Sequence, residues 1–244
     1  MYTILTVVII VVVVVAAFAV FGGVFKEKPI LQVSQTLSGK TNDSVTLNFS
    51  VTNVGGDANG VVITASSTAF TQGTTTKIDI PAGKTVVASC QVTVNDIESK
   101  DYPITLTYTA DGNIFGAFSG NVAGNAVFHV LPSLEIVDVH WKNDIAWIGQ
   151  QGNFTLLYFN IKSNTDFAAE GVNVKLALTP TVDDLVVNPS SMEVAKIGPK
   201  ATSEQISVAV AAYGAQVGNH PLQIELSLNG YVIDTASTAI EVRG

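Results

Sequence analysis

Ile80-Pro81-Ala82-Gly83-Lys84-Thr85 and Ile197-Gly198-Pro199-Lys200-Ala201-Thr202 are two versions of one stretch, each running into an alternating segment, 86–94 and 204–210. Working outward, Tyr102-Pro103-Ile104-Thr105-Leu106-Thr107-Tyr108 recurs as His220-Pro221-Leu222-Gln223-Ile224-Glu225-Leu226. The turn pair Asp111-Gly112 recurs as Asn229-Gly230. Residues 45–53 correspond to 153–164, and each half closes on an alternating strand, 127–131 and 238–242. Self-similarity of this kind means that one supersecondary unit is used twice. Short alternating runs with turn signals every 8–12 residues, roughly seven strands in about 105 residues, describe an immunoglobulin-like β-sandwich. Asp111-Gly112 and Asn229-Gly230 read as two-residue hairpin turns, since both central positions of a type I′ turn need positive φ. No Cys-Trp-Cys core pattern accompanies the strands, so the expectation is a generic sandwich.

The fold class that follows is mainly β, with two tandem immunoglobulin-like sandwiches at 29–132 and 133–244 and one long N-terminal α-helix at 1–28. Leu131-Pro132-Ser133 forms the junction. It is short and proline-restricted, which predicts a stiff rod of two sandwiches. In the second half Leu134 and Ile136 share one parity while Val137, Val139 and Trp141 share the other, which predicts a β-bulge. The first half carries a six-residue excess within 115–124, a Gly-rich stretch whose Phe115 and Phe118 read as candidate subunit contacts. Trp141 and Trp147 flank the polar stretch 142–146; they either fill core corners or anchor a neighbouring subunit. Cys90, the one cysteine, shares parity with Val86, Ala88, Val92 and Val94 and reads as a buried, inert thiol.

Residues 3–25 are a near-continuous apolar run without a charge. As a helix this run is about 35 Å long, enough to cross a bilayer core. A segment apolar on every side must be buried, in lipid or in a filament core. Within it Ala16, Ala19 and Gly23 fall at i, i+3 and i+7, a spacing that lets helices pack closely. No Lys or Arg precedes the run, as a secretory signal would require, and Lys26 and Lys28 follow it. A basic leader removed ahead of Met1 explains this arrangement; an initiator Met1 on an uncleaved anchor is the alternative.

Net charge is −8, with six basic and eight acidic residues at 26–132 and six and twelve at 133–244. No basic stripe is present, so nucleic acid is excluded as a partner. His129, His140 and His220 have no carboxylate or cysteine at ligand spacing, and Asp183-Asp184 lacks the surrounding oxygens that calcium needs. No nucleophile elbow or phosphate loop occurs. The expectation is no catalytic residue, no metal and no cofactor. Asn42-Asp43-Ser44, Asn48-Phe49-Ser50 and Asn153-Phe154-Thr155 fit the N-glycosylation pattern, with Asn42 the leading candidate in its polar turn.

The uncharged N-terminal run followed by Thr/Asn/Gly-rich sandwiches resembles archaeal type IV pilus-like filament subunits, archaellins included. The resemblance implies a leader removed by a prepilin peptidase, helices bundled in a filament core and β-domains forming the sheath. Leu5 stands where bacterial type IV pilins carry glutamate, which argues against the bacterial kind. The repeated halves are also similar to the tandem cell-adhesion modules of prokaryotic surface proteins. The expected function is therefore a non-enzymatic structural subunit of an extracellular filament, serving adhesion or motility. It would assemble as a homopolymer through its N-terminal helices, pass through a membrane-inserted pool, and meet a surface or glycan target. The alternative is a single-pass anchored surface protein whose tandem domains bind a ligand or scaffold.

Overall fold

The computed structural model describes residues 27–113 and 116–244. Within them the chain separates into two compact units. The first comprises the described residues through Leu37, with Ser44–Thr93 and Tyr102–Phe128. The second comprises Ser38–Asp43, Val94–Asp101 and His129–Gly244.

The first unit takes all or most of each of the strands β1 (Leu31–Lys40), β2 (Ser44–Asn53), β3 (Ala58–Ser67), β4 (Phe70–Thr74) and β5 (Ile78–Ile80). These are followed by β6 (Thr85–Thr93), β7 (Asp101–Asn113), β8 (Gly116–Asn121) and β9 (Ala123–Leu131). They join in one sheet of order β4-β3-β7-β9-β1-β2-β6, with β5 added to β3 and β8 added to β7. Strand β1 lies between β9 and β2 and so makes the sheet continuous. Period-2 alternation buries Leu47, Phe49 and Val51 of β2 against Ala88, Cys90 and Val92 of β6. Phe70 meets Phe128 edge-on, with ring centroids 5.2 Å apart.

The second unit runs β10 (Leu134–Trp141), a 3-10 turn (Lys142–Asp144), β11 (Trp147–Gly149), β12 (Gln151–Ser163) and β13 (Val172–Leu178). It continues through β14 (Leu185–Asn188), β15 (Ser191–Val194), β16 (Ile206–Tyr213), β17 (Gly218–Leu228) and β18 (Tyr231–Arg243). Two sheets, β10-β12-β16-β14 and β11-β18-β17-β13-β15, close over a single core. Leu157, Phe159 and Ile161 face inward from the first; Val172, Leu222, Ile224 and Ile240 face inward from the second. Each is fully buried, worth about 1.5–3 kcal/mol per side chain. The parallel pairing of β11 with β18 starts the second sheet after the chain has left β10, so one opening strand serves both sheets in two pieces.

The internal repeat reappears in the hydrogen bonds. Asn53 N donates to Lys84 O at 2.9 Å, and Ser163 N donates to Ala201 O at 2.8 Å. Val54 N to Ile30 O at 2.9 Å has its counterpart in Asn164 N to Ser133 O at 2.8 Å. The aligned turn positions Gly83 and Lys200 both take positive φ, +70° and +49°. The parity change in β10 is a bulge: the register with β12 shifts between Val137 and His140, and Asp138 sits at φ +56°.

Two expectations are corrected. Among the described residues the only helical element is the 3-10 turn, and no helix is long and apolar enough to cross a membrane. The described architecture is thus β throughout, and the long N-terminal α-helix drops out of the fold class. Glu27 and Lys28, the described end of the segment 1–28, are irregular chain leading into β1. Ala16, Ala19 and Gly23 lie outside the described residues. Homopolymer assembly through N-terminal helices, a membrane-inserted pool, and the pilin-like and transmembrane-helix features are corrected with it, because each needed a long apolar helix and the described residues contain none.

The second correction concerns Asp111-Gly112. It lies within β7 instead of forming a turn, because β7 and β8 continue pairing past it, Ala110 with Phe118 and Asn113 with Gly116. Gly112 is required there: a Cβ would come within 1.5 Å of Gly116 O. Asn229-Gly230 does form the turn, at φ +51° and +84°.

Candidate functional site

The second unit carries two adjoining surface features. The first is the outward face of β10-β12-β16-β14. Phe154, Ala211 and Val186 form one row across β12, β16 and β14, and Leu156, Ala209 and Asn188 form the next. In the following row Tyr158 stands between His140 and Ser207, its ring 5.4 Å from the imidazole. Strand alternation turns these side chains away from the core, leaving Phe154 65% and Val186 45% exposed. The three rows contain no Lys, Arg, Asp or Glu, on a protein of net charge −8. Alanines on the central strand make the middle of the face shallow between the taller side chains.

The second feature is a cavity of about 380 Å³ beside Phe154. Its walls come from the 3-10 turn (Lys142, Asn143), Ile145 ahead of β11, β11 itself (Trp147, Gly149) and the start of β12 (Asn153, Phe154, Thr155). Local backbone explains the shape: Asn143 and Asp144 take φ +56° and +57°, turning the chain sharply out of β10. Trp147 is 43% exposed, and the Arg243 guanidinium sits 4.7 Å from its ring centroid. Arg243 is in turn held by Glu241, which accepts from Nε at 2.9 Å and from a terminal nitrogen at 2.6 Å. The Arg243 hydrogen bond holds the Glu241 carboxyl below its usual range. The indole is thus braced by a cation that is itself fixed.

The other candidates fall elsewhere. Trp141 is buried and donates from Nε1 to Thr238 Oγ1 at 3.1 Å, so it fills the core of the second unit. Phe118 is half-buried on β8, the strand into which the Gly-rich excess folds, and Phe115 lies outside the described residues. Asn42 is exposed at φ +67° and its side chain bonds Asp96. Asn48 lies in β2 between β1 and β6, its Oδ1 accepting from Ser89 Oγ at 2.7 Å. Cys90 is buried, and desolvation pushes its thiol up. His129 Nδ1 lies 2.6 Å from Asp101, its ring stacked 4.9 Å from Tyr231. His220 Nε2 meets Gln216 O at 2.7 Å. Among the described residues no group of three or more His, Cys, Asp or Glu is placed to hold a metal. Sequence reading missed the joint role of Ile145, Gly149 and Phe154, which come together only through the turn after β10; the exposed Phe in the third sequon was the available signal.

No family model matches the chain, and no curated protein matches it. Among solved structures, red sea bream transglutaminase is similar at 13% identity over 91% of this chain and 32% of its own, with a TM-score of 0.39. A Salmonella alpha-2-macroglobulin mutant is similar at 14% identity over 88% of this chain and 16% of its own, TM-score 0.33. A protein of unknown function from Porphyromonas gingivalis W83 is similar at 11% identity over 87% and 97%, TM-score 0.28. Likeness at this level carries no argument about activity.

Proposed function

We propose that this chain is a non-catalytic binding protein that works outside the cytoplasm, the β-sandwich of its second unit presenting a surface to an adhesion target or scaffold. The observation that carries the reading is the uncharged face of Phe154, Leu156, Tyr158, Ala209, Ala211 and Val186. A contiguous apolar patch on an acidic protein is unfavourable in water unless something covers it, and such patches are where soluble proteins meet partners. A Thr-, Asn- and Gly-rich composition supports the external location. The partner is accordingly a surface with an apolar, uncharged patch of its own.

The test is the full chain in its producing cells carrying Val186→Lys and Ala211→Lys together. Both positions point outward, so circular dichroism and melting should match the parent. Retention of the protein on intact cells, read by protease shaving, should fall at least about tenfold, since covering an unpaired ammonium costs more than the ~1.4 kcal/mol that factor represents. Undiminished retention, or a protein shielded from protease on intact cells, would overturn the reading.

A further inference from the structure

We propose that Asn153 carries an N-linked glycan whose first sugars seat in the cavity lined by Trp147, Phe154, Lys142 and Asn143. The inference rests on the external location proposed above and goes beyond it, because it assigns a modification and its seat. Three sequons are present, and the structure separates them. Asn42 is engaged with Asp96, and Asn48 is bonded to Ser89 in the middle of a paired strand. Asn153 is exposed, and it precedes the residues of β12 that pair with β10, a register that runs from Ser163 back to Leu157. On the other side the register with β16 shifts between Gln151 and Phe154, with Gly152 at φ +67°. The sequon Asn153-Phe154-Thr155 therefore starts at a bulged strand end that a transferase can approach.

The cavity is suited to what would be attached. Asn153 and Thr155 of the sequon both line it, Asn153 exposed and Thr155 buried at its inner wall. A Cβ at Gly149 would stand 2.6 Å from Asn153 Nδ2, so the absence of a side chain at 149 is what lets the Asn153 amide sit at the cavity wall. Trp147, fixed by Arg243, and Phe154 offer apolar ring faces to the C–H face of a pyranose. Lys142 and Asn143 offer donors and an acceptor to its hydroxyls. The amide nitrogen would attack the anomeric carbon of a lipid-phosphate-linked oligosaccharide: the C1–N bond forms, the C1–O bond to phosphate breaks, and the amide proton leaves to the transferase. No atom changes oxidation state.

The experiment is intact-mass and glycopeptide analysis of the full chain from its producing cells, with melting measured alongside. Asn153 should carry the glycan, and Asn153→Gln and the near-isosteric Thr155→Val should each lose the same mass. The glycosylated protein should melt about 3 °C above Asn153→Gln. In a Trp147→Ala, Phe154→Ser background, with the glycan still attached, that difference should vanish. An unmodified Asn153 overturns the proposal even when the protein is shown to be external, so its failure is distinct from failure of the location. A glycan whose removal shifts melting equally in both backgrounds overturns the seat.

Discussion

Asn53 is fully buried at the end of β2, and its side chain makes four hydrogen bonds. Nδ2 donates to Gly56 O at 2.7 Å and Ile80 O at 2.8 Å; Oδ1 accepts from Gly55 N at 3.0 Å and Ile30 N at 3.3 Å. Asn53→Ala removes all four. Ile30 is exposed and Gly55 and Gly56 are half-buried, so their backbone groups regain water and lose only the modest net value of a made bond. Ile80 is fully buried, and its orphaned carbonyl bears a desolvation cost of about 1–3 kcal/mol. The sum is a destabilisation of about 3 kcal/mol. Asn53→Asp should be worse at neutral pH, because a carboxylate oxygen would replace the donor facing two carbonyl oxygens in a dry site. Acidification should narrow that deficit, since burial among acceptors raises the new carboxyl's pKa and its neutral form can donate once. Guanidinium unfolding followed by far-UV circular dichroism, run at neutral and acid pH on both variants, checks the ordering. A loss below 1 kcal/mol for Asn53→Ala, or a pH-independent deficit for Asn53→Asp, would refute the reasoning.

The two tryptophans should separate cleanly: Trp141→Phe leaves a gap and an unbonded Thr238 hydroxyl, costing about 1–2 kcal/mol, whereas Trp147→Phe should stay within about 0.5 kcal/mol. Equal losses in chemical denaturation would contradict the placement of Trp141 in the core. Burial pushes the Asp96 carboxyl up, but the Asp166 N–H, the Asn42 amide and the Lys200 ammonium pull it down, and the net is a lowered pKa. Its contribution is therefore present above the ordinary carboxylate pKa of about 3.9 and lost as pH falls through the depressed value. Wild type should exceed Asp96→Asn in stability at neutral pH, the gap closing on strong acidification; a gap that widens in acid would reverse the assignment.

Much of this architecture is local and therefore legible in the chain. Alternation put Cys90 inward with Val92, since strand side chains have period 2. The parity change between Ile136 and Val137 marked a bulge, because only an extra residue can flip a strand's face. Asn229-Gly230 made its turn because the dipeptide tolerates positive φ at both places. The repeat was readable because equivalent backbone bonds, Asn53 to Lys84 and Ser163 to Ala201, are met by similar short sequences.

What only the tertiary structure decided depends on neighbours distant in sequence. Asp111-Gly112 has the same local permission as Asn229-Gly230, yet pairing of β7 with β8 draws it into a strand. The opening strand stays whole as β1 in the first half of the chain and divides into β10 and β11 in the second, since its partners differ. Trp141 and Trp147 are alike by sequence; one is buried because Thr238 and the core close over it, and the other is left on the surface against Arg243. The cavity beside Asn153 exists because a turn at 142–144 carries Trp147 back beside the start of β12. The sequence by itself determined where strands, bulges and sequons could be, through backbone and period-2 constraints that each residue carries alone. Which of them meet, and which remain open to a partner or a sugar, was decided by packing between residues that lie far apart in the chain.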